Sequence, residues 1–331
     1  MGRVLLTGGG GFIGGALASA LRQRGETVVG FARSEQAALS LAAKGAHVVR
    51  GDVLDPKALK EALRGCELVY HVAGVNSHCP KDPQRLVRTN VEGTANVVEA
   101  AAGARVRRVV ITSSAAVIGE TKGTVATEHS PHRGRYLSVY ERSKREAEQL
   151  AFAIGAQEGV DVLALNPSSV QGPPRSTGNG AIIIAYLNRR LRVFLDTHLS
   201  IVDIDDVVQA HLLAADLGTP GERYILNGTT VQSRQALDLL AAISGVKYTV
   251  RVIPAPFAHA GATVADAVLR PFGIRSPLCL ERVETLLHGH RYDGSRATRE
   301  LRLRYTPLSD TLTRTVEWAR RAGLAPPGDP T

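Results

Sequence analysis

The sequence predicts an α/β protein built on a doubly wound parallel sheet. Two observations point there. Short apolar runs alternate with helix-length stretches through the first half of the 331 residues, the order that lays crossover helices on both faces of a parallel sheet. The first apolar run, Val4-Leu5-Leu6, also leads straight into a glycine-rich turn, Thr7-Gly8-Gly9-Gly10-Gly11-Phe12-Ile13-Gly14, with a helix leading out. Hydrophobic residues make up 44% of the chain, enough for a substantial core. The length suits one large α/β unit, residues 1–170, followed by a lobe over 171–331, with the strand and helix near 199–217 returning to the first unit.

The elements follow in order. A strand over Arg3–Thr7 feeds a helix over Phe12–Arg24, closed by Gly25 at a C-cap position. A strand over Thr27–Ala32 and a helix over Glu35–Lys44 end at Gly45. A strand over Ala46–Arg50 precedes a short helix, Pro56–Arg64, with Asp55 as N-cap, Pro56 at the first position and Gly65 beyond its end. Strand Glu67–His71, a loop containing Pro80 and Pro83, a helix over Val87–Ala102 and strand Arg107–Thr112 continue the pattern. A polar loop then runs to Arg135, a long helix covers Tyr136–Glu158, and strand Asp161–Leu165 ends at Asn166-Pro167. Beyond it, Gly172–Gly180 is a long Pro/Gly/Ser loop and a candidate functional segment. Helices over Ala181–Arg190, Asp206–Leu217 and Ser233–Ile243 alternate with short strands near Leu199–Val202 and Arg223–Leu226. Asp205-Asp206 reads as the cap of the helix that follows. Amphipathic patches cover Ala262–Leu269, Leu278–His288 and Leu312–Ala322, and the end, Pro326–Thr331, is expected to fray.

The glycine turn carries the first chemistry. Gly8, Gly11 and Gly14 supply the tight bend, the close approach of a pyrophosphate to backbone and the close helix–strand packing. The free N–H groups at the start of the helix, around Phe12 and Ile13, then face the phosphates. A plain β–α turn without ligand is the alternative. The second anchor is Tyr140-Glu141-Arg142-Ser143-Lys144. Residues four apart share a helix face, so Tyr140 and Lys144 project together. A tyrosine hydroxyl has an unperturbed pKa near 10, and a neighbouring ammonium favours the phenolate. The pair can therefore act as general acid or base on a carbonyl or alcohol. Ser114 stands after strand Arg107–Thr112, at the carboxyl edge where open sheets bind ligands, placed either to donate to a substrate oxygen or to cap a turn.

The glycine loop, Ser114, Tyr140 and Lys144, in that order, resemble the extended short-chain dehydrogenase/reductase superfamily, which includes the NAD-dependent epimerases and dehydratases. The resemblance covers about residues 2–230 and implies a Rossmann-type sheet with a smaller mixed α/β C-terminal substrate lobe. It implies catalytic roles for Ser114, Tyr140 and Lys144. It also implies cofactor contacts at Asp52 and Val53 after the third strand and at Ala73 and Gly74 after the fourth. Asn90 matches a family asparagine that props the active site. Ser113 lies at the edge of the fifth strand, and Pro167, Ser169 and Val170 lie in the loop flanking the nicotinamide. Each of these residue types also serves ordinary turns, caps and strand ends.

Cofactor and substrate can be argued further. The second strand ends in Phe31-Ala32-Arg33-Ser34, with no carboxylate until Glu35. A carboxylate there would bind the ribose 2′-hydroxyl of NAD. Arg33 instead suits a 2′-phosphate and Ser34 adds a hydrogen bond, so NADP(H) is expected, with NAD(H) possible if Arg33 is solvated or stacks on adenine. Dehydratases of the superfamily carry Thr-Asp-Glu where this chain has Ser114-Ala115-Ala116. The arginine that clamps a diphosphate before their Val-Asp-Asp segment is missing from Leu199-Ser200-Ile201-Val202-Asp203. These departures point to members similar to dihydroflavonol-4-reductases and 3β-hydroxysteroid dehydrogenases, and to a small carbonyl or alcohol substrate. An NAD-dependent sugar epimerase is the alternative enzyme, recognisable by no net cofactor consumption. A cofactor-sensing regulator is the non-enzymatic alternative, although such proteins lose the Tyr/Lys pair. The resemblance also implies a homodimer through helices including the one that bears Tyr140.

Composition narrows the partners. The net charge is +9, but the basic residues are scattered in pairs, and only 7 of the 40 are lysine. No nucleic-acid motif accompanies them, so no nucleic-acid partner is expected. No apolar run is long enough for a membrane span. Cys66, Cys79 and Cys279 lack metal-like spacing and read as thiols of a reducing cytoplasm without a disulfide framework. His288-Gly289-His290 reads as a surface loop, with no carboxylate suitably spaced for a metal.

Overall fold

The computed structural model describes residues 2–254, 256–257, 259–260, 263 and 279–327. The expected patch Ala262–Leu269 lies, except for Thr263, outside the described residues, as do the last four residues. The first half alternates strand and helix as expected: β1 Arg3–Thr7, α1 Phe12–Gln23, β2 Thr27–Ala32, α2 Glu35–Ala42, β3 His47–Arg50, α3 Pro56–Ala62, β4 Leu68–His71, α4 Pro83–Asn90, α5 Glu92–Gly103 and β5 Arg108–Thr112. Then come a 3₁₀ turn Ala115–Ile118, α6 Val139–Glu158 and β6 Asp161–Pro167. The remainder holds β7 Ser169–Gln171, α7 Asn179–Leu187, β8 Val193–Leu195, β9 His198–Asp203, α8 Ile204–Leu217, β10 Arg223–Leu226, β11 Thr229–Gln232, α9 Ser233–Ser244 and β12 Arg251–Ile253. Past the gap in described residues lie α10 Leu280–His288, α11 Ser295–Leu301 and α12 Leu308–Arg321.

Seven parallel strands form one sheet in the order β10-β6-β5-β4-β1-β2-β3. The winding reverses between β1 and β4, and ligands of open α/β sheets bind in the crevice at such a point. Thr7 is in register with both Phe31 and His71, so the ends of β1, β2 and β4 reach one edge together. Period-two alternation sends Val4, Leu6, Val28 and Tyr70 to one face, where α1 and α8 cover them. Leu5, Val29, Val69 and Val109 go to the other face, under α3, α5 and α6. Both faces are dry, which is why these strands read as continuous apolar runs. A three-stranded sheet, β11-β9-β7, and a two-stranded one, β12-β8, stand outside the main sheet. A third core gathers Ile183, Tyr186, Leu240, Leu312 and Val316 from α7, α9 and α12.

Several boundaries differ from expectation, each for a local reason. The helix expected over 87–102 is two helices. Asp82 caps the first at the Arg85 N–H (2.9 Å), and Pro83 occupies its first turn rather than a loop. The break comes at Val91, where Thr94 Oγ1 donates to the Asn90 carbonyl at 2.6 Å, a back-bond that bends helices. The helix expected from Tyr136 starts at Val139, because Ser138 Oγ accepts from Glu141 N and Glu141 Oε2 accepts from Leu137 N. Strand β6 continues through Asn166 to Pro167, since β10 pairs with it there. Asp203, not Asp205-Asp206, caps α8. Asp206 instead accepts from Thr306 N and Oγ1, and Asp205 pairs with Arg314. Cys79 and Cys279 are joined in a disulfide, contrary to the expectation of free thiols. The two lie 200 residues apart in sequence, which spacing within the sequence could not reveal. Cys66 is the buried free thiol. No described helix is long and apolar enough to cross a membrane.

Candidate active site

The glycine turn is shaped by backbone. Gly8 sits at φ 72°, and a Cβ there would stand 2.5 Å from the Ala73 nitrogen, so only glycine lets β1 pass the end of β4 so closely. Gly11 N–H donates to the Gly8 carbonyl at 3.0 Å. Gly14 faces the same carbonyl and has no room for a side chain. Gly11 is the N-cap of α1, and no side chain caps the helix, so the first-turn N–H groups at Phe12 and Ile13 are left to an outside acceptor. A Cβ on Gly11 would meet only the Gly8 carbonyl, at 3.3 Å, leaving the approach to backbone open. This cradle fits a pyrophosphate. At the end of β2, the half-exposed Arg33 guanidinium lies 3.7 Å from Asp52. Ser34 Oγ caps α2 by accepting from Ala37 N at 3.3 Å. Asp52 Oδ1 accepts from Leu54 N, and the carbonyl of buried Val53 accepts from Asn96.

A buried polar chain ties this turn to the next strand. Thr94 Oγ1 spends its proton on the Asn90 carbonyl, so it accepts from His71 Nε2–H at 3.0 Å. His71 Nδ1 is then an acceptor, and Thr7 Oγ1 donates to it at 2.8 Å while accepting from Ala73 N. The ring is therefore neutral. Burial, with the Lys144 charge adding to it, pushes its pKa down to about 3. Asn90 closes the next link. Its Oδ1 accepts from Val75 N at 2.7 Å and its Nδ2 donates to Ser143 Oγ at 2.9 Å. The loop after β4 is thus pinned to α6, and a Cβ at Gly74 would stand 3.2 Å from Asn90 Oδ1 and 3.6 Å from Lys144 Nζ.

The three residues singled out for chemistry come together at the carboxyl ends of β4 and β5. Ser114 begins the 3₁₀ turn, its Oγ accepting from Ala116 N at 3.3 Å, so the capping role holds. The same side chain is close enough to the Tyr140 hydroxyl to favour its ionised form. Tyr140 lies on the first turn of α6 and is buried. Burial pushes its hydroxyl above the usual value, and the nearby Ser114 side chain opposes that. Lys144, one turn on, donates to the Thr112 carbonyl at 2.7 Å. Burial brings its pKa down to about 8, with Glu148 holding it up. Thr112 is itself fixed, since its Oγ1 donates to His211 Nε2 at 2.7 Å while His211 Nδ1–H donates to the Val207 carbonyl. Ser113 Oγ is buried with no hydrogen-bond partner in the described protein, a donor left for a ligand.

Beyond β6, Ser169 Oγ accepts from Asn179 Nδ2 at 2.6 Å, tying β7 to α7. Val170 is buried and its carbonyl accepts from Arg175. Arg175 also lies over the Phe12 ring at 5.0 Å, so the Gly172–Gly180 loop reaches back to the glycine turn. Asn166 Nδ2 bridges the Ser114 carbonyl and Glu148, which pairs with Arg223. Pro167 sits in register with Leu226 at the sheet edge.

Sequence reasoning does not anticipate the buried settings of His71, His288 and His290. His71 reads from sequence as the edge of β4 beside the cofactor, and His78, in the loop after it, either as facing a substrate or as a structural loop residue. His78 packs edge-on against the Tyr140 ring, centroids 5.8 Å apart. His288 is buried and His290 nearly so, against the expectation of a surface loop. Both face Glu120, from a distant part of the chain.

A glycine turn opening α1, Ser114, Tyr140 and Lys144 gathered at the sheet's carboxyl edge, and a strand order reversing between β1 and β4 are the features of an extended short-chain dehydrogenase/reductase. The model of the NAD dependent epimerase/dehydratase family matches residues 4–226, and the chain belongs to that family. It is 33% identical over 327 residues to the Synechocystis sp. protein named "Putative dihydroflavonol 4-reductase", covering 96% of this chain and 94% of that one. It is 32% identical to cinnamoyl-CoA reductase 1 of Petunia hybrida over 72% of this chain and 76% of the relative. Among solved structures, gox2253 superposes with a TM-score of 0.86 at 29% identity, covering 98% of this chain and all of that one.

Proposed function

We infer that the protein is an NADP(H)-dependent oxidoreductase that interconverts a small carbonyl compound and its alcohol. The observation that carries this is Ser114, at the end of β5, acting on the buried Tyr140 hydroxyl, with Lys144 one turn further along α6, at the sheet edge that also bears the uncapped start of α1. In this reading Gly8, Gly11 and Gly14, with the N–H groups of Phe12 and Ile13, hold the pyrophosphate. Arg33 and Ser34 hold the 2′-phosphate, Asp52 and Val53 flank the adenine, and Ala73, Gly74, Asn90, Ser113, Pro167, Ser169 and Val170 line the nicotinamide end. Bound NADP(H) supplies or takes up the hydride.

The protein's own part is proton transfer and orientation. Tyr140 donates its hydroxyl proton to the substrate oxygen during reduction and takes it back during oxidation. Its raised pKa keeps the phenol protonated at rest, the form needed for reduction. Ser114 donates to the same oxygen as charge develops there. The Lys144 ammonium stabilises the phenolate left behind. The named relatives favour a reductase, while the family name keeps a sugar epimerase as the second reading. We place the homodimer interface on α6, whose Leu150 is partly exposed.

A panel of aryl aldehydes, ketones and alcohols with NADPH, NADH and their oxidised forms, followed by cofactor absorbance, tests the assignment. Net NADPH consumption with a carbonyl supports it. Sugar epimerisation without net consumption supports the second reading, and a clear NADH preference removes the role given to Arg33.

A further inference from the structure

We propose that Glu120, His288 and His290 form a binding site for one divalent d-block cation of the Zn²⁺ class. The chain brings these residues together by two left-handed glycines. Gly119, at φ 65°, turns the backbone after the 3₁₀ helix and so delivers Glu120. Gly289, at φ 68°, ends α10 between the two histidines, and their rings lie side by side with centroids 4.5 Å apart. Glu120 Oε1 is 2.6 Å from His290 Nδ1 and 3.3 Å from His288 Nε2. One ligand atom from each residue falls within 4.8 Å of the others.

Burial separates this cluster from a chance surface grouping. The side chains of Glu120, His288 and His290 are 2%, 5% and 15% exposed. Glu120 Oε2 and His288 Nε2 are shielded from solvent and make no hydrogen bond. A buried polar atom without a partner is costly, and a buried charge more so. The nearby Arg133 guanidinium is paired with Glu141 and gives the Glu120 carbonyl, not its carboxylate, a bond. Glu120 therefore presents its negative charge to two imidazoles, a donor set that suits borderline cations. Bonds of about 2.0–2.2 Å place tetrahedral donors roughly 3.4 Å apart. The Glu120–His288 spacing already matches, and the Glu120–His290 hydrogen bond opens by under about 1 Å when His290 Nδ1 turns its lone pair to the metal. The proton shifts to the other ring nitrogen, so the imidazole stays neutral.

The site has an entrance and a structural consequence. His288 also lines an open cavity of about 340 Å³ with Lys122, Arg135, Leu137 and Glu284, which gives the cation a path. Glu120 opens the 120–135 loop and His290 opens the segment that meets it again at the Ala126–Tyr292 bridge. A cation would clamp the two at their shared end. This inference does not depend on the proposed reaction, because its readout is binding.

Tag-free full-length protein titrated with Co²⁺ tests it. We expect one equivalent bound with the visible bands of four- or five-coordinate Co²⁺, displaced by Zn²⁺, and a Zn²⁺-dependent rise in melting temperature. Glu120→Gln and His290→Ala should each weaken binding at least about tenfold, whereas His259→Ala, an exposed histidine beside the cavity, should leave it unchanged. Wild-type protein that shows no one-equivalent Co²⁺ spectrum overturns the proposal whether or not the variants fold. So does binding that is equal in wild type, Glu120→Gln and His290→Ala.

Discussion

The two walls around Tyr140 are built differently. The cofactor wall is made from neighbours in the topology: the Gly8–Gly14 turn, the Thr7–His71–Thr94 chain and the Asn90 clamp join adjacent strands and the helices between them. The opposite wall is made from strangers. Cys79 is bonded to Cys279, Glu120 meets His290, Ala126 pairs with Tyr292, and Glu128 Oε1 accepts from Ile225 N. The first wall repeats a pattern that any parallel α/β sheet provides. The second depends on single contacts between distant residues, and that is where substrate choice can change without disturbing the fold.

The largest expected effect breaks the chemistry and spares both walls. Tyr140→Phe removes the proposed proton donor alone. Its kcat should fall by about 10²–10⁴-fold, the range for a general acid, while NADPH affinity from fluorescence titration stays near wild type. A kcat within a few-fold of wild type would remove Tyr140 from the mechanism.

Acid should loosen the first wall. His71 and His211 are buried neutral, with pKa values brought down to about 3 and about 4. In the unfolded chain both titrate near 6.5, so between that value and their folded values the unfolded state binds more protons. Stability is then fully present above pH 6.5 and is lost as pH falls, by about 2 kcal/mol for each histidine at pH 5. Urea melts at pH 7 and 5 measure this. In His71→Gln the difference between the two pH values should shrink by about 2 kcal/mol; an unchanged difference would mean that His71 is not held neutral.

Legibility follows the same divide. The sheet, the glycine cradle and the spacing of Tyr140 and Lys144 were readable because they rest on periods of two and four residues and on local turn chemistry. The break at Val91 and the start of α6 at Val139 are not marked by the periodicity, although Ser138 three residues before Glu141 is a capping signature. The disulfide and the Glu120–His288–His290 cluster were closed to local reading. His288-Gly289-His290 offered two ligands, and the carboxylate lies 170 residues from His290, so only the fold could supply it.

Reduction should loosen the second wall. Opening Cys79–Cys279, or Cys279→Ser, frees the loop carrying His78 from the start of α10. A loss of about 2–4 kcal/mol is expected, with NADPH affinity retained because the cofactor wall does not use the bond. Equal loss of cofactor affinity would show that the walls are not independent. The smallest effect belongs to Arg33. Arg33→Ala should raise KM for NADPH roughly tenfold or more, the worth of a charge-assisted pair, and leave NADH kinetics near wild type. Parallel changes with both cofactors would assign Arg33 to adenine stacking instead.

The central claim, hydride transfer with Tyr140 as the proton donor, is met most directly by isotope. NADPH carrying deuterium at the transferring position of its nicotinamide, incubated with a carbonyl substrate from the panel, should yield an alcohol with one deuterium at the former carbonyl carbon. Tyr140→Phe should yield almost none. Product lacking deuterium, or a substrate that changes configuration while the cofactor keeps its label and its oxidation state, would contradict the account.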